Sequence, residues 1–194
     1  MMWSEKNWHA LLERLKLQAD NNGYFQKLGK LYSSRTRHYH TIQHIEDCLT
    51  LLASSRHLAS SPDLIEAAIW LHDAIYNSLS KKNELKSAEL AKQIFVSLGM
   101  KSAEIKYVYN LIMITAHQTS PKSTDEKLIV DIDLSILGSA AERYDAYEKA
   151  IRKEYRLIPS RMYVSGRKKV LEHYLNRQAN YTLPEYQELL ETRA

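Results

Sequence analysis

Pro62-Asp-Leu-Ile-Glu-Ala-Ala-Ile-Trp-Leu-His-Asp73 is the stretch whose reading decides the fold. Pro62 suits the first position of a helix, where its fixed φ is helical and its missing N–H would have had no partner anyway; Ser61 stands before it as a cap. The run Ala67-Ala68-Ile69-Trp70-Leu71 is apolar on nearly every side, so this helix is expected at the centre of the molecule rather than on its surface. It closes on two polar residues, His72 and Asp73, at the point where a buried helix runs out.

Outward from that helix the same 3.6-residue period recurs. Trp3, Trp8, Leu11, Leu12 and Leu15 predict a first helix with Ser4 as its cap, and Tyr24 to Tyr32 a second. His40 to Leu52 reads as a third, with Ile45, Cys48, Leu49 and Leu52 on one side. Asn83 to Leu98 stops at Gly99, a helix-ending residue, and the next helix runs from Ser102 to about His117. Gln118 to Ser123 reads as a loop, and Asp125 to Leu137 as a helix ending near Gly138. Ser139-Ala-Ala-Glu142 and Thr182-Leu-Pro-Glu185 have the spacing of capping boxes. They open a helix to about Tyr155 and a short final one; Pro159 separates the former from a helix over 160–177. No strand-type alternation is sustained. The expectation is one all-α domain over 1–194 with nine or ten helices.

Composition agrees. The chain has 194 residues, 44% hydrophobic and 26% charged, which suits one domain and argues against disorder. Only 5 Gly and 4 Pro are present, too few for the turns of a many-stranded sandwich or barrel. No apolar stretch approaches a bilayer span, the charged first twenty residues lack a signal core, and the one cysteine, Cys48, has no internal disulfide partner. The expectation is a cytoplasmic protein without membrane contact. Net charge is +4, but residues 151–177 hold eight basic side chains against Glu154 and Glu172, so that segment is +6 and the rest −2. Such a segment suits phosphate groups of a ligand; a generic nucleic-acid surface is disfavoured because core-like Tyr and Leu interrupt the basic run.

The residues that could carry chemistry fall in a definite order. His40 and His44 stand four apart in Arg37-His-Tyr-His-Thr-Ile-Gln-His44, His72-Asp73 closes the buried helix, His117 ends a later one, and Asp131 and Asp133 interrupt an apolar stretch. A buried carboxylate needs a partner, and a metal is among the best. Two imidazoles with two carboxylates form a mixed nitrogen and oxygen set suited to a divalent ion such as Mn, Fe, Co, Ni, Zn or Mg. No Gly-rich phosphate loop or nucleophile elbow is present.

His44, then His72-Asp73, then Asp133 resembles the H…HD…D signature of the HD-domain metal-dependent phosphohydrolases. The likeness extends to a small bacterial branch of that superfamily through Tyr39-His40 to Ile45, His72 to Tyr76, Asn83-Glu84 to Ala88 and His117. It continues through Asp131 to Gly138, Ile151 to Tyr155 and Gly166-Arg167, so that it covers about residues 35–180. The resemblance implies an all-helical domain holding a divalent metal through His44, His72, Asp73 and Asp133. It favours His44 over His40 and Asp133 over Asp131, and leaves His40, His117 and Asp131 as outer partners or holders of a second ion. With one His between His-Asp and the last Asp, a di-iron oxygenase is disfavoured. Hydrolysis of a phosphoester of a nucleotide or another small phosphorylated metabolite by metal-activated water is the implied activity. Asp73 and Glu84 are the candidate catalytic groups, Glu84 being equally suited to a plain first-turn carboxylate. Arg152, Arg167 and Lys168 are the candidate phosphate contacts. The alternative is a non-catalytic helical protein that binds a metal and a phosphorylated ligand or partner.

Overall fold

A computed structural model describes all residues, 1–194. The chain is all-helical, with no strand: α1 (Glu5–Arg14), α2 (Tyr24–Tyr32), α3 (Ile42–Ser55), α4 (Pro62–Leu71), α5 (Asn83–Ser97), α6 (Ser102–Ile114), α7 (Thr124–Asp133), α8 (Ala141–Glu154), α9 (Ser160–Leu175) and α10 (Pro184–Leu190). Short 3₁₀ turns follow α3, α7 and α10. No helix is long and apolar enough to cross a membrane.

As its sequence predicts, α4 is the central element: every residue from Ile65 to Leu71 is buried, and α1, α3, α5, α6 and α7 pack around it. Trp70 sits in an aromatic cluster, with ring centroids 4.6 Å from Trp3 and 5.4 Å from Trp8. Such a cluster contributes more than its buried area alone. Glu66, on the same helix, is buried but matched by two guanidinium groups, Arg14 at 2.5 Å and Arg56 at 2.8 Å.

The caps show where local signals were overruled. Ser4 caps α1 by accepting from the Asn7 amide at 3.2 Å. Ser61 does not cap α4 with its hydroxyl; the buried Asp125 carboxylate accepts from the Ser60 and Ser61 amides instead, at 2.7 and 2.9 Å. Neither expected capping box forms. Helix α8 starts at Ala141 and α10 at Pro184, so Ser139 and Thr182 each fall one position too early, and Glu142 and Glu185 sit one short of the residue that reaches back. Thr182 turns its hydroxyl to Asp131, at 3.1 Å. The box that does form, Ser123 with Glu126, opens α7 at the edge of the stretch read as a loop.

The C-terminal segment docks against the 3₁₀ turn after α7. The Tyr181 hydroxyl accepts from the Gly138 amide at 2.9 Å and donates to the Leu134 carbonyl at 3.1 Å. The approach is so close that a β-carbon at Gly138 would lie 2.6 Å from both Cβ and O of Leu190. Gly138→Ala therefore forces the segment away and is expected to cost about 1–3 kcal/mol, as overpacking does. Gly29→Ala, which meets nothing within 4 Å, should cost nothing. Paired thermal melts of the two variants check this.

Candidate metal centre

Three helix ends converge beside the C-terminus of α4. His44 comes from the first turn of α3, His72 and Asp73 from the end of α4, and Asp133 from the last residue of α7. His44 Nε2 lies 3.2 Å from His72 Nε2 and 3.3 Å from Asp133 Oδ1. His72 Nε2 lies 3.6 Å from Asp133 Oδ1. Within this group of His44, His72 and Asp133 all donor atoms are within 4.8 Å of one another. Asp73 falls outside that group, yet its Oδ2 approaches both imidazoles, at 3.3 Å from His72 and 3.5 Å from His44.

These residues fit a metal on two counts. The first is spacing: donors about 2.1 Å from an ion in tetrahedral or octahedral arrangement stand about 3.0–3.4 Å apart, near the separations found. The second is electrostatic. His72 donates its Nδ1–H to the Ile69 carbonyl at 2.9 Å, which in the neutral ring turns the Nε2 lone pair toward two carboxylates. A lone pair facing carboxylates is repulsive, and a metal ion or a proton placed among them removes the repulsion. With protons as the only cations, burial pulls the His72 pKa down, but Asp73 and Asp133 more than reverse it, and it stands well above the ordinary value. Asp73 and Asp133 are held well below the carboxylate range, against their burial, Asp73 chiefly by His72 and Asp133 chiefly by its bond from His117.

His117 lies just beyond α6 with a left-handed backbone (φ 53°) and places its Nε2 3.0 Å from Asp133 Oδ2. It braces one oxygen of Asp133 while the other faces the imidazoles. A positive φ is uncommon outside glycine and here aims the ring back at α7.

His40 lies outside the helix expected to run from His40 to Leu52. The helix begins at Ile42, capped by Thr41, so His40 lies before it. The cause is Glu154 of α8, whose buried carboxylate accepts the amides of His38, Tyr39 and His40 at 2.7, 2.8 and 3.1 Å and holds them in a turn. Its Oε2 takes His40 Nδ1 at 2.7 Å, and the His40 ring stacks on Tyr76 at 4.0 Å. That leaves His40 Nε2 with no partner in the protein, on a ring 6.1 Å from that of His44.

Other expected site residues lie elsewhere. Asp131 is two residues from Asp133 on α7 and so faces the opposite way; it is fully buried and accepts from the Thr182 and Leu183 amides at 2.9 and 2.7 Å. Its duty is to anchor the C-terminal segment, and it is not part of the metal group. Glu84, half-buried in the first turn of α5, makes no hydrogen bond to the cluster and lines a separate cavity of about 430 Å³ with Lys81, Lys82 and Gln118. Arg152 is spent on the turn after α8, donating to the Tyr155 carbonyl at 2.8 Å and the Ser160 hydroxyl at 3.1 Å. Arg167 is paired with Glu148 and lies over the Tyr147 ring. Lys168 is exposed, 3.7 Å from Glu172 on its own helix. None of the three cations contacts the cluster.

Two residues around the centre were not singled out from sequence. Arg37 is buried and donates to the carbonyls of His40, Asp73 and Ala74 at 3.0, 2.6 and 2.7 Å, tying the His40 turn to the end of α4. Glu154 is the other; an acid inside a strongly basic stretch was its signal. Comparison with protein-family models, with curated proteins and with solved structures gives no match to this chain.

Burial raises the pKa of Glu154, but the His40 bond and charge and the His38 and Tyr39 amides outweigh it, bringing the pKa from 4.5 to about 2. A carboxyl depressed in the folded state stabilises it above its unfolded pKa and loses that contribution as pH falls through the folded one. Glu154→Gln should therefore melt below wild type at neutral pH, with the gap closing as pH drops from 4.5 toward 2. Melting temperature against pH for both proteins tests it.

Proposed function

We propose that this protein is a metal-dependent phosphohydrolase acting on a phosphoester of a small phosphorylated metabolite. The observation that carries the reading is the convergence of His44, His72 and Asp133, with Asp73 beside them, from three separate helices. They follow the chain order of the HD-type signature, and the pinned His72 ring aims its Nε2 at His44, Asp73 and Asp133, a donor set suited to a cation.

His44, His72, Asp133 and Asp73 would hold a divalent ion of the Mn, Fe, Co, Ni, Zn or Mg kind. Such an ion, when bound, supplies Lewis acidity to a phosphoryl oxygen and brings a water's pKa toward neutrality. The remaining work falls to the chain. His117 keeps Asp133 in one orientation through its 3.0 Å bond. Asp73 Oδ1 has no protein partner and is free to accept a proton from the attacking water. His40 is the better-placed proton donor to the leaving oxygen than Glu84. Glu154 fixes its Nδ1–H, Tyr76 fixes its plane, and its free Nε2 is adjacent to the cluster. Burial lowers the His40 pKa, but Asp73 and Glu154 more than reverse it, so the ring holds a proton more readily than an ordinary histidine.

The alternative is a non-catalytic protein that binds a metal and a phosphorylated ligand; the engagement of Arg152 and Arg167 within the protein removes two expected phosphate contacts from both readings alike. Two measurements separate the readings. Elemental analysis of protein purified without chelator should find near-stoichiometric divalent metal in wild type and background in His72→Ala. His40→Asn should keep the metal. It should hydrolyse 4-nitrophenyl phosphate, whose leaving group needs no proton, almost as well as wild type, while its kcat on glycerol phosphate falls roughly 10²- to 10⁴-fold. Metal without turnover of either ester by wild type would favour the binding protein.

A further inference from the structure

No residue of helix α9 is fully buried over its sixteen positions, although Tyr174 packs partly against the core. Of the ten exposed large hydrophobic residues in the protein, five (Leu157, Met162, Val164, Val170 and Leu175) lie on it or in the turn leading to it. Val164, Lys168, Leu171 and Leu175 are spaced four, three and four, which places them on one face and is the spacing of a helix-pairing seam. Leu171 and Leu175 also line a cavity of about 560 Å³ that opens between α9 and the C-terminal turn, with Leu137 and Tyr144 on its other walls. The helix is basic: Arg161, Arg167, Lys168 and Lys169 against Glu172, or +3, with Arg167 already paired to Glu148.

A complementary surface exists on the same chain. Helix α10 turns Glu185, Glu188 and Leu189 outward on one face; Leu189 is 58% exposed, and no basic residue lies between Pro184 and Leu190. We infer that a second copy of this chain covers α9, with α10 of each protomer laid on α9 of the other. Leu189 of one protomer fills the apolar cavity beside Leu171 and Leu175 of its partner, and Glu185 and Glu188 meet Lys168, about one turn away on the same face. Two such contacts related by a twofold axis close the assembly, since each surface appears once on each protomer. Direct pairing of α9 with α9 would set like charges against one another and is excluded on that ground. A lone lysine within an otherwise apolar seam favours one partner and one register.

Sedimentation equilibrium of the full chain tests the inference. Wild type should show twice the monomer mass at high protein concentration. Leu175→Glu and Leu189→Glu, both at exposed positions and therefore compatible with folding, should each show the monomer mass while their far-ultraviolet circular dichroism spectra keep the wild-type helix content. Lys168→Glu and Glu188→Lys should each weaken the dimer, and the double charge swap should restore it. A wild type that stays monomeric throughout the concentration range overturns the inference, as does a dimer that survives both leucine substitutions. Loss of the dimer in the charge swap beyond that of either single variant would refute the α9–α10 register.

Discussion

Charge at the end of a buried helix is the constraint on which the surrounding structure depends. Helix α4 passes through the core with no exposed residue from Ile65 onward and must release its last carbonyls and two ionisable side chains inside the protein. Unpaired groups there would each cost several kcal/mol. Arg37 takes the Asp73 and Ala74 carbonyls, and Ile69 takes one nitrogen of His72. What remains, the second nitrogen of His72 and the Asp73 carboxylate, can be satisfied only from outside the helix. His44 and Asp133 are brought there by α3 and α7, the two helices that flank α4 on that side. The cluster of His44, His72, Asp73 and Asp133 is thus what completes the end of α4.

The architecture was legible in the sequence because its signals are redundant. A helix such as α4 is announced by its proline, its length and its uninterrupted apolar run together, and α5 by its period and the glycine after it. Capping was less legible because a box depends on single-residue register. One residue of offset separates Ser139 and Thr182, which do not cap, from Ser123, which does. Spacing alone cannot show where the preceding turn ends.

The gathering of the centre was legible in part for the same reason. The order His44, His72-Asp73, Asp133 could be read from the chain, and the structure brings these four side chains together. Choosing between Asp131 and Asp133 is a matter of helix phase: two residues apart, only one can face α4. The environment of His40 was not legible. Its conformation is dictated by Glu154, 114 residues away, and no local pattern records that a distant carboxylate will take three successive amides and pull the turn out of the helix. The basic segment misled for a related reason. Guanidinium groups that look free along a sequence are drawn to the nearest carbonyls and carboxylates once helices form, as Arg152 and Arg167 are.

Glu154 also decides how the α8–α9 hairpin is attached. Helix α8 fully buries only Ile151 and Glu154 and α9 no residue at all, with Tyr144, Tyr147 and Tyr174 partly packed on the core, so apolar burial is a small part of what holds this pair on the body of the protein. The hairpin is held instead by polar and aromatic contacts that lead toward the centre. Glu154 grips the turn carrying His40, Arg143 pairs with Asp47 at 2.5 Å, and Tyr147 packs on Tyr39 at 4.6 Å, which in turn packs on His44 at 4.9 Å. Contacts of this kind depend on charge and orientation more than on area, so they hold only while His40 and His44 keep their positions. The face of α9 that is left outward is therefore fixed by the same side chains that shape the His/Asp cluster.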